Sequence, residues 1–68
     1  MIQLTRLNDE PIMVHAMQVE SIEPGADTHV TLMSGKQLYV KETTEEVAEL
    51  IRLWFASVFT GQVSKGAD

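Results

Sequence analysis

The spacing of apolar residues changes once along this chain, and the change separates two kinds of secondary structure. Up to Val40, apolar side chains recur mainly at every second position, which is the repeat of a β-strand with one buried face. From Val47 onward they recur at every third or fourth position, which is the repeat of an amphipathic helix. The sequence therefore predicts an α+β fold, in which an antiparallel sheet of about four to five strands, connected as a meander, is followed by one C-terminal helix packed on it.

One hairpin can be predicted to the residue from its apolar positions. A two-residue loop would pair Val30 with Tyr39 and turn Leu38 away from the core, because a shift of one residue moves every side chain of a strand to the other face. A three-residue loop, Met33–Gly35, pairs Val30 with Leu38 and places Gly35 at the left-handed position that such loops need. We therefore predict the three-residue loop.

Two further strand features are predicted upstream of this hairpin. Apolar residues alternate from Ile12 to Met17, which predicts a strand that continues through Met17. Val19 and Ile22 are three positions apart, so both face the core only if their strand contains a bulge or a bend. The predicted core is Leu4, Val14, Ile22, Val30, Leu32, Leu38, Val40, Val47, Leu50, Ile51 and Trp54.

The helix is predicted to begin at Thr43 and to fade near Gly61. Thr43 with Glu46 three residues later forms a capping box, in which each side chain satisfies a free backbone N–H of the other residue. We expect a single domain over residues 1–61, with residues 62–68 as a polar, flexible tail. The core-facing stripe of this helix consists of Val47, Leu50, Ile51, Trp54 and Val58.

The helix carries more apolar residues than one thin sheet can cover, namely Leu53, Phe55 and Phe59. Two interpretations remain open: Phe55 and Phe59 close over the sheet edge and complete one core, or these residues form a surface for a second copy or another protein. The chain has 68 residues and no cysteine, which excludes disulfides. Because domains below about 70–80 residues commonly need disulfides, a metal or oligomerisation, we favour the second interpretation and expect a homo-oligomer.

A second candidate surface lies on the sheet face opposite the core, where Met13, Met33 and Tyr39 are predicted. Methionine side chains adapt to different partners and recur at binding surfaces. Scattered apolar residues are also normal on a monomer's surface, so both interpretations remain open.

No residue pattern indicates catalysis, a metal site or a cofactor. His15 and His29 are the only histidines, and both are expected on the outer sheet face without the spacing of a ligand pair. The serines and glycines match neither a nucleophile elbow nor a phosphate-binding loop. We expect no enzyme activity, no catalytic residue, no metal and no cofactor, unless the two histidines converge with a carboxylate.

The charge balance limits the possible partners. Ten acidic residues face five basic ones, giving a net charge of −5, whereas nucleic-acid binding normally begins with a basic patch. We expect no nucleic-acid partner, and no membrane insertion, because no apolar run approaches the roughly 18–20 residues of a span. The first residues lack the pattern of a signal peptide, so we expect a cytoplasmic protein. An alternative function is a small regulatory module in which Arg6, Lys36 or Lys41 binds an anionic ligand such as a cyclic dinucleotide.

Three segments occur in an order and spacing typical of one family. They are residues 2–8 (I-Q-L-T-R-L-N), residues 21–36 (S-I-E-P, then D-T-H-V-T-L-M-S-G-K) and residues 41–47 (K-E-T-T-E-E-V). Over residues 1–54 the chain resembles the FlbD/SwrD family of flagellar motility proteins. It departs from the family pattern at Asp9, where many members have glycine, and in the turn before Asp27.

The resemblance implies a non-enzymatic accessory protein of flagellar motility and swarming that acts by protein–protein interaction. It implies motor or assembly proteins of the flagellum as partners, a role in support of the motor or stator, and a location at the cytoplasmic side of the flagellar base. It carries over no catalytic or ligand-binding residues to this chain.

Overall fold

The structure is a computed structural model that describes the backbone of residues 1–67 and the side chains of residues 1–58. Over these residues the chain forms β1 (Ile2–Thr5), β2 (Pro11–Val14), a 3₁₀ helix (Ala16–Gln18), β3 (Val19–Glu23), β4 (Thr28–Leu32), β5 (Gln37–Val40) and α1 (Thr44–Ala67). The predicted α+β class is confirmed, with an antiparallel meander of short strands followed by a helix that packs on them.

The described strands form two antiparallel sheets, β1-β2 and β3-β4-β5, that meet at one junction. Arg6 forms an antiparallel bridge with Val40 at the end of β5. The Lys41 N–H donates to the Thr5 carbonyl at 2.8 Å. Thr5 in turn donates its N–H and its hydroxyl to the two carboxylate oxygens of Glu42, both at 2.8 Å. These bonds join the first sheet to the segment that leads into the helix.

Two charged side chains at this junction, Glu42 and Lys41, interact with neighbouring residues. Partial burial raises the pKa of Glu42, but the hydrogen bonds from Thr5 and from the backbone of Glu42 together outweigh it, so the pKa lies below its ordinary value. Lys41 forms an ion pair with Asp9, which adopts a left-handed backbone conformation (φ 71°) in the turn between β1 and β2. Backbone hydrogen bonds and charged side chains therefore both stabilise this junction.

The predicted three-residue hairpin loop is confirmed. Val30 lies opposite Leu38, as the apolar pattern requires. The Leu32 N–H donates to the Lys36 carbonyl at 2.8 Å, and the Gly35 N–H donates to the Leu32 carbonyl at 2.8 Å. Gly35 has φ 91°, a conformation that costs glycine little and other residues more.

The segment between the sheets departs from the predicted alternation. A strand was expected through Met17, but β2 ends at Val14 and residues Ala16–Gln18 form a 3₁₀ helix. The prediction is wrong there because the chain must turn to leave one sheet and enter the other. The turn is closed by the Gln18 N–H, which donates to the His15 carbonyl at 2.9 Å.

Of the bulge or bend predicted in the next strand, the structure has the bulge. The pairing of β3 with β4 shifts between Val19 and Ser21, so that one extra residue is accommodated on the β3 side. As a result both Val19 and Ile22 pack against the core, although neither is fully buried.

The core lies between the two sheets and the first half of α1. Its buried members among the described residues are Ile2, Leu4, Val14, Ala16, Val30, Leu38, Val40 and Val47. Around them pack the half-buried side chains of Ile12, Val19, Ile22, Leu32, Leu50, Ile51, Trp54 and Phe55. The predicted core is confirmed in its centre, while Ile2 and Ala16 are buried members that the prediction omitted.

The helix begins with the predicted capping box. The Glu46 N–H donates to Thr43 Oγ1 at 3.1 Å, and the Thr43 N–H donates to Glu46 Oε1 at 2.8 Å. The first helical residue is Thr44, so Thr43 is the N-cap.

The helix is long for so small a domain. Its 24 residues span about 36 Å. The molecule measures 46 × 22 × 19 Å, so the helix must lie along the long axis. It extends past Gly61, where it was predicted to fade, as far as Ala67; the flexibility of residues 62–68 stays a prediction. In the described residues no helix combines the length and the apolar character needed to cross a membrane.

Candidate functional site

The first candidate surface consists of the apolar residues that the prediction placed outside the core stripe of α1, namely Leu53, Phe55 and Phe59. The described helix side chains that pack against the core lie between Val47 and Phe55, whereas the helix continues to Ala67. Val58 is 39% exposed although its position in the helical repeat places it on the same stripe as the fully buried Val47. Leu53, on one flank of that stripe, is 49% exposed. The apolar stripe is therefore buried at Val47 and partly exposed at Val58.

Phe55 lies at the edge of the core. It is half-buried, packs against the core cluster and contacts the Trp54 ring edge to face, with 5.1 Å between ring centroids and an interplanar angle of 89°. Phe55 therefore packs on the core of its own chain, as the first of the two interpretations expects. The side chain of Phe59 lies outside the described residues, so Leu53 and Val58 represent the exposed apolar part of the helix.

The second candidate surface is divided among different elements. Met13 lies on β2 of the first sheet, Met33 in the loop between β4 and β5, and Tyr39 on β5 of the second sheet. Each is more than half exposed. The Met33 N–H donates to the Gln18 carbonyl at 2.7 Å, which fixes the hairpin loop against the 3₁₀ helix. Whether these side chains act together as a binding surface stays a prediction.

A row of polar and aromatic side chains crosses the outer face of the three-stranded sheet. The strand register places His29 between Glu23 and Tyr39. The rings of His29 and Tyr39 stack with 4.7 Å between centroids and an interplanar angle of 12°. His29 Nδ1 lies 3.5 Å from Glu23 Oε1, while His29 Nε2 is buried without a hydrogen-bond partner among the described atoms. Cross-strand packing accounts for this arrangement.

The two histidines lie on different parts of the fold. His15 follows β2 and is exposed, whereas His29 is half-buried on β4. Within the described residues, no three side chains of the metal-binding types converge on a point that could hold an ion.

The three basic residues considered for an anionic ligand are also separated. Arg6 is half-buried beside β5, and Lys41 is paired with Asp9. Lys36 precedes β5 and Lys41 follows it, so the two lysines lie at opposite ends of that strand. These three side chains do not converge on one point, and the anionic-ligand hypothesis stays a prediction.

A groove between β3 and the first turns of α1 was not predicted. It has a volume of about 530 Å³ and is lined by Val19, Glu20, Ser21, Ile22, Thr44, Glu45, Ala48 and Ile51. Its strand side is an outer edge of the three-stranded sheet, because β3 pairs only with β4 in the described part of the chain. Local sequence patterns predict the strand and the helix separately. They do not predict how far apart the two elements lie, so the groove could not be predicted from them.

The comparisons with known proteins identify a family over most of the chain. A sequence model of the FlbD family, described as flagellar and swarming motility proteins, matches residues 1–59. No curated protein and no solved structure matches the chain significantly.

Proposed function

The chain belongs to the FlbD family of flagellar and swarming motility proteins, and on that premise we propose that it is a non-enzymatic accessory protein that acts by binding proteins. Its partners in this proposal are a second copy of the chain and components of the flagellar motor or its assembly apparatus. The proposed location is the cytoplasmic side of the flagellar base, where it would support the motor or stator.

The observation that carries the proposal is the exposure of Val58 on the core-facing stripe of α1. A side chain at this position is buried when the sheets reach it, as they do at Val47. Leu53 adds apolar area on the flank. A contiguous exposed apolar surface favours association, and association would add the buried area that a chain of this size needs.

A motility assay tests this proposal. In a motile strain whose own copy is replaced, the double substitution Leu53→Glu and Val58→Glu is expected to abolish the contribution of the protein to swarming. Glutamate is a good helix former, and neither side chain belongs to the core cluster, so the fold should be retained. The measurement is the rate of swarm expansion, compared with wild type and with a deletion strain.

The control is Arg52→Glu, which changes the net charge by the same two units as the double substitution. Arg52 is exposed and pairs with Glu49 on the polar face of the helix, where an ion pair contributes little stability. Wild-type swarming by the control and deletion-like swarming by the double variant would support the proposal. Wild-type swarming by a folded double variant would contradict it.

A further inference from the structure

The three-stranded sheet has a free edge at β3, beside the first turns of α1. In the described residues β3 has β4 on one side and no strand on the other. Beyond this free edge, Ala48 and Ile51 of the helix line a groove together with Val19 and Ile22 of β3. An added strand beside β3 would direct alternate side chains into this groove, because side chains of neighbouring strands share a face at every second position.

Apolar and acidic side chains both line the groove. Glu20 borders it on the strand side and Glu45 on the helix side. Among the described side chains, no lysine or arginine pairs with either carboxylate; Glu45 accepts a hydrogen bond from the Thr44 hydroxyl. An occupant that places apolar side chains inward and cationic side chains outward would complement both properties.

We propose that this groove, bounded by the edge of β3 and the first turns of α1, binds an extended segment of a partner protein in which apolar and basic residues alternate. The segment adds a fourth strand to the sheet: backbone bonds to β3 supply affinity, and alternate side chains supply specificity. This inference rests on the proposed function, in which the chain acts by binding proteins, and it names the chemistry of one partner.

Charge disfavours a second copy of the chain at this position. Pairing β3 with the β3 strand of another molecule would bring Glu20 and Glu23 of one copy close to the same residues of the other, and like charges on adjacent strands are destabilising. The whole chain carries a net charge of −5, which adds to the repulsion. Acidic edge strands discourage self-pairing in this way while they remain open to basic partners.

Three synthetic peptides, each slightly longer than β3, test the proposal with the full chain. The first alternates lysine and valine, the second has the same composition in two blocks, and the third alternates glutamate and valine. Binding is followed by fluorescence anisotropy of labelled peptide and by the amide NMR shifts of Glu20, Ser21 and Ile22. We expect the alternating basic peptide to bind most tightly and to shift the β3 amides. Equal binding of the two basic peptides would overturn the proposal.

Two substitutions locate the binding. Glu20→Lys is expected to weaken binding of the alternating basic peptide about fivefold, because an attraction becomes a repulsion. Glu10→Lys, which makes the same charge change before β2 on the other sheet, serves as the control and should weaken it less than twofold. Ala48→Lys, which keeps a good helix former while filling the groove, should also weaken binding.

Equal effects of Glu20→Lys and Glu10→Lys would mean that only net charge attracts the peptide, and would overturn the proposal. Leu53→Glu with Val58→Glu lies outside the groove and should leave peptide binding unchanged. Failure of the peptide experiments therefore leaves the role of the helix surface standing, and failure of the motility assay leaves the groove standing.

Discussion

Glu42 and Thr5 are separated by thirty-seven positions in the sequence and joined by two hydrogen bonds in the structure. The carboxylate lies in the segment that connects β5 to α1, and Thr5 is the last residue of β1. This contact ties the two-stranded sheet to the rest of the domain. It also depends on charge, because the hydrogen bonds lower the pKa of Glu42 by favouring the ionised form.

Replacement of Glu42 by alanine is expected to reduce the free energy of unfolding by about 1–2 kcal/mol, since hydrogen bonds to a charged group are among the stronger ones and these are partly solvated. The folded-state pKa lies below the unfolded-state pKa, so the contribution is fully present above the unfolded value and is lost as the pH falls through the folded value. Urea unfolding followed by Trp54 fluorescence at neutral and acidic pH measures both effects.

The matched control is Glu10→Ala, because Glu10 is an exposed glutamate whose side chain has no hydrogen bond or ion pair among the described contacts. If Glu42→Ala and Glu10→Ala destabilise equally, or if the difference between them does not shrink in acid, the junction does not depend on the Glu42 carboxylate.

At the scale of elements, α1 depends on its cap for a defined beginning. Only Val47 of the described helix side chains is fully buried, so packing fixes the helix less firmly than in a larger domain. The reciprocal bonds between Thr43 and Glu46 satisfy two backbone N–H groups that would otherwise have no partner within the helix.

Thr43→Ala is therefore expected to cost about 1 kcal/mol of stability, the usual effect of losing an N-cap hydroxyl. For a domain of this size that corresponds to a fall of about 4–8 °C in Tm. Thermal unfolding by circular dichroism measures it. Thr44→Ala is the control, because the Thr44 hydroxyl bonds to Glu45 rather than to a free backbone N–H; an equal fall in Tm for both variants would contradict the capping role.

The elements that the sequence predicts correctly are those whose cause is local. The hairpin loop follows from alternation and one glycine, Gly35, and the cap follows from Thr43 and Glu46 three residues apart. The 3₁₀ turn at Ala16–Gln18 was missed because its cause is the spatial separation of two sheets. The same limit applies to the candidate sites: the apolar surplus of the helix is visible in the sequence, but the partial burial of Phe55 depends on where the sheets end.

At the scale of the whole molecule, the domain is elongated because its 24-residue helix is much longer than any of its strands of four or five residues. The long dimension of 46 Å is about twice either of the other two. The described core contacts of the helix end at Phe55, about three helical turns before its last described residue. A second copy that packs against the exposed apolar residues of α1, Leu53 and Val58, would bury both and add to a core too small to be very stable alone.

The mass of the protein in solution, measured by light scattering over a wide concentration range, tests this central claim most directly. We predict a multiple of the 7.6 kDa chain mass for wild type and for Arg52→Glu, and a mass near 7.6 kDa for the folded double variant Leu53→Glu and Val58→Glu. A wild-type protein that stays at 7.6 kDa at every concentration, or a double variant with the same oligomeric mass as wild type, would contradict self-association through the exposed stripe of α1.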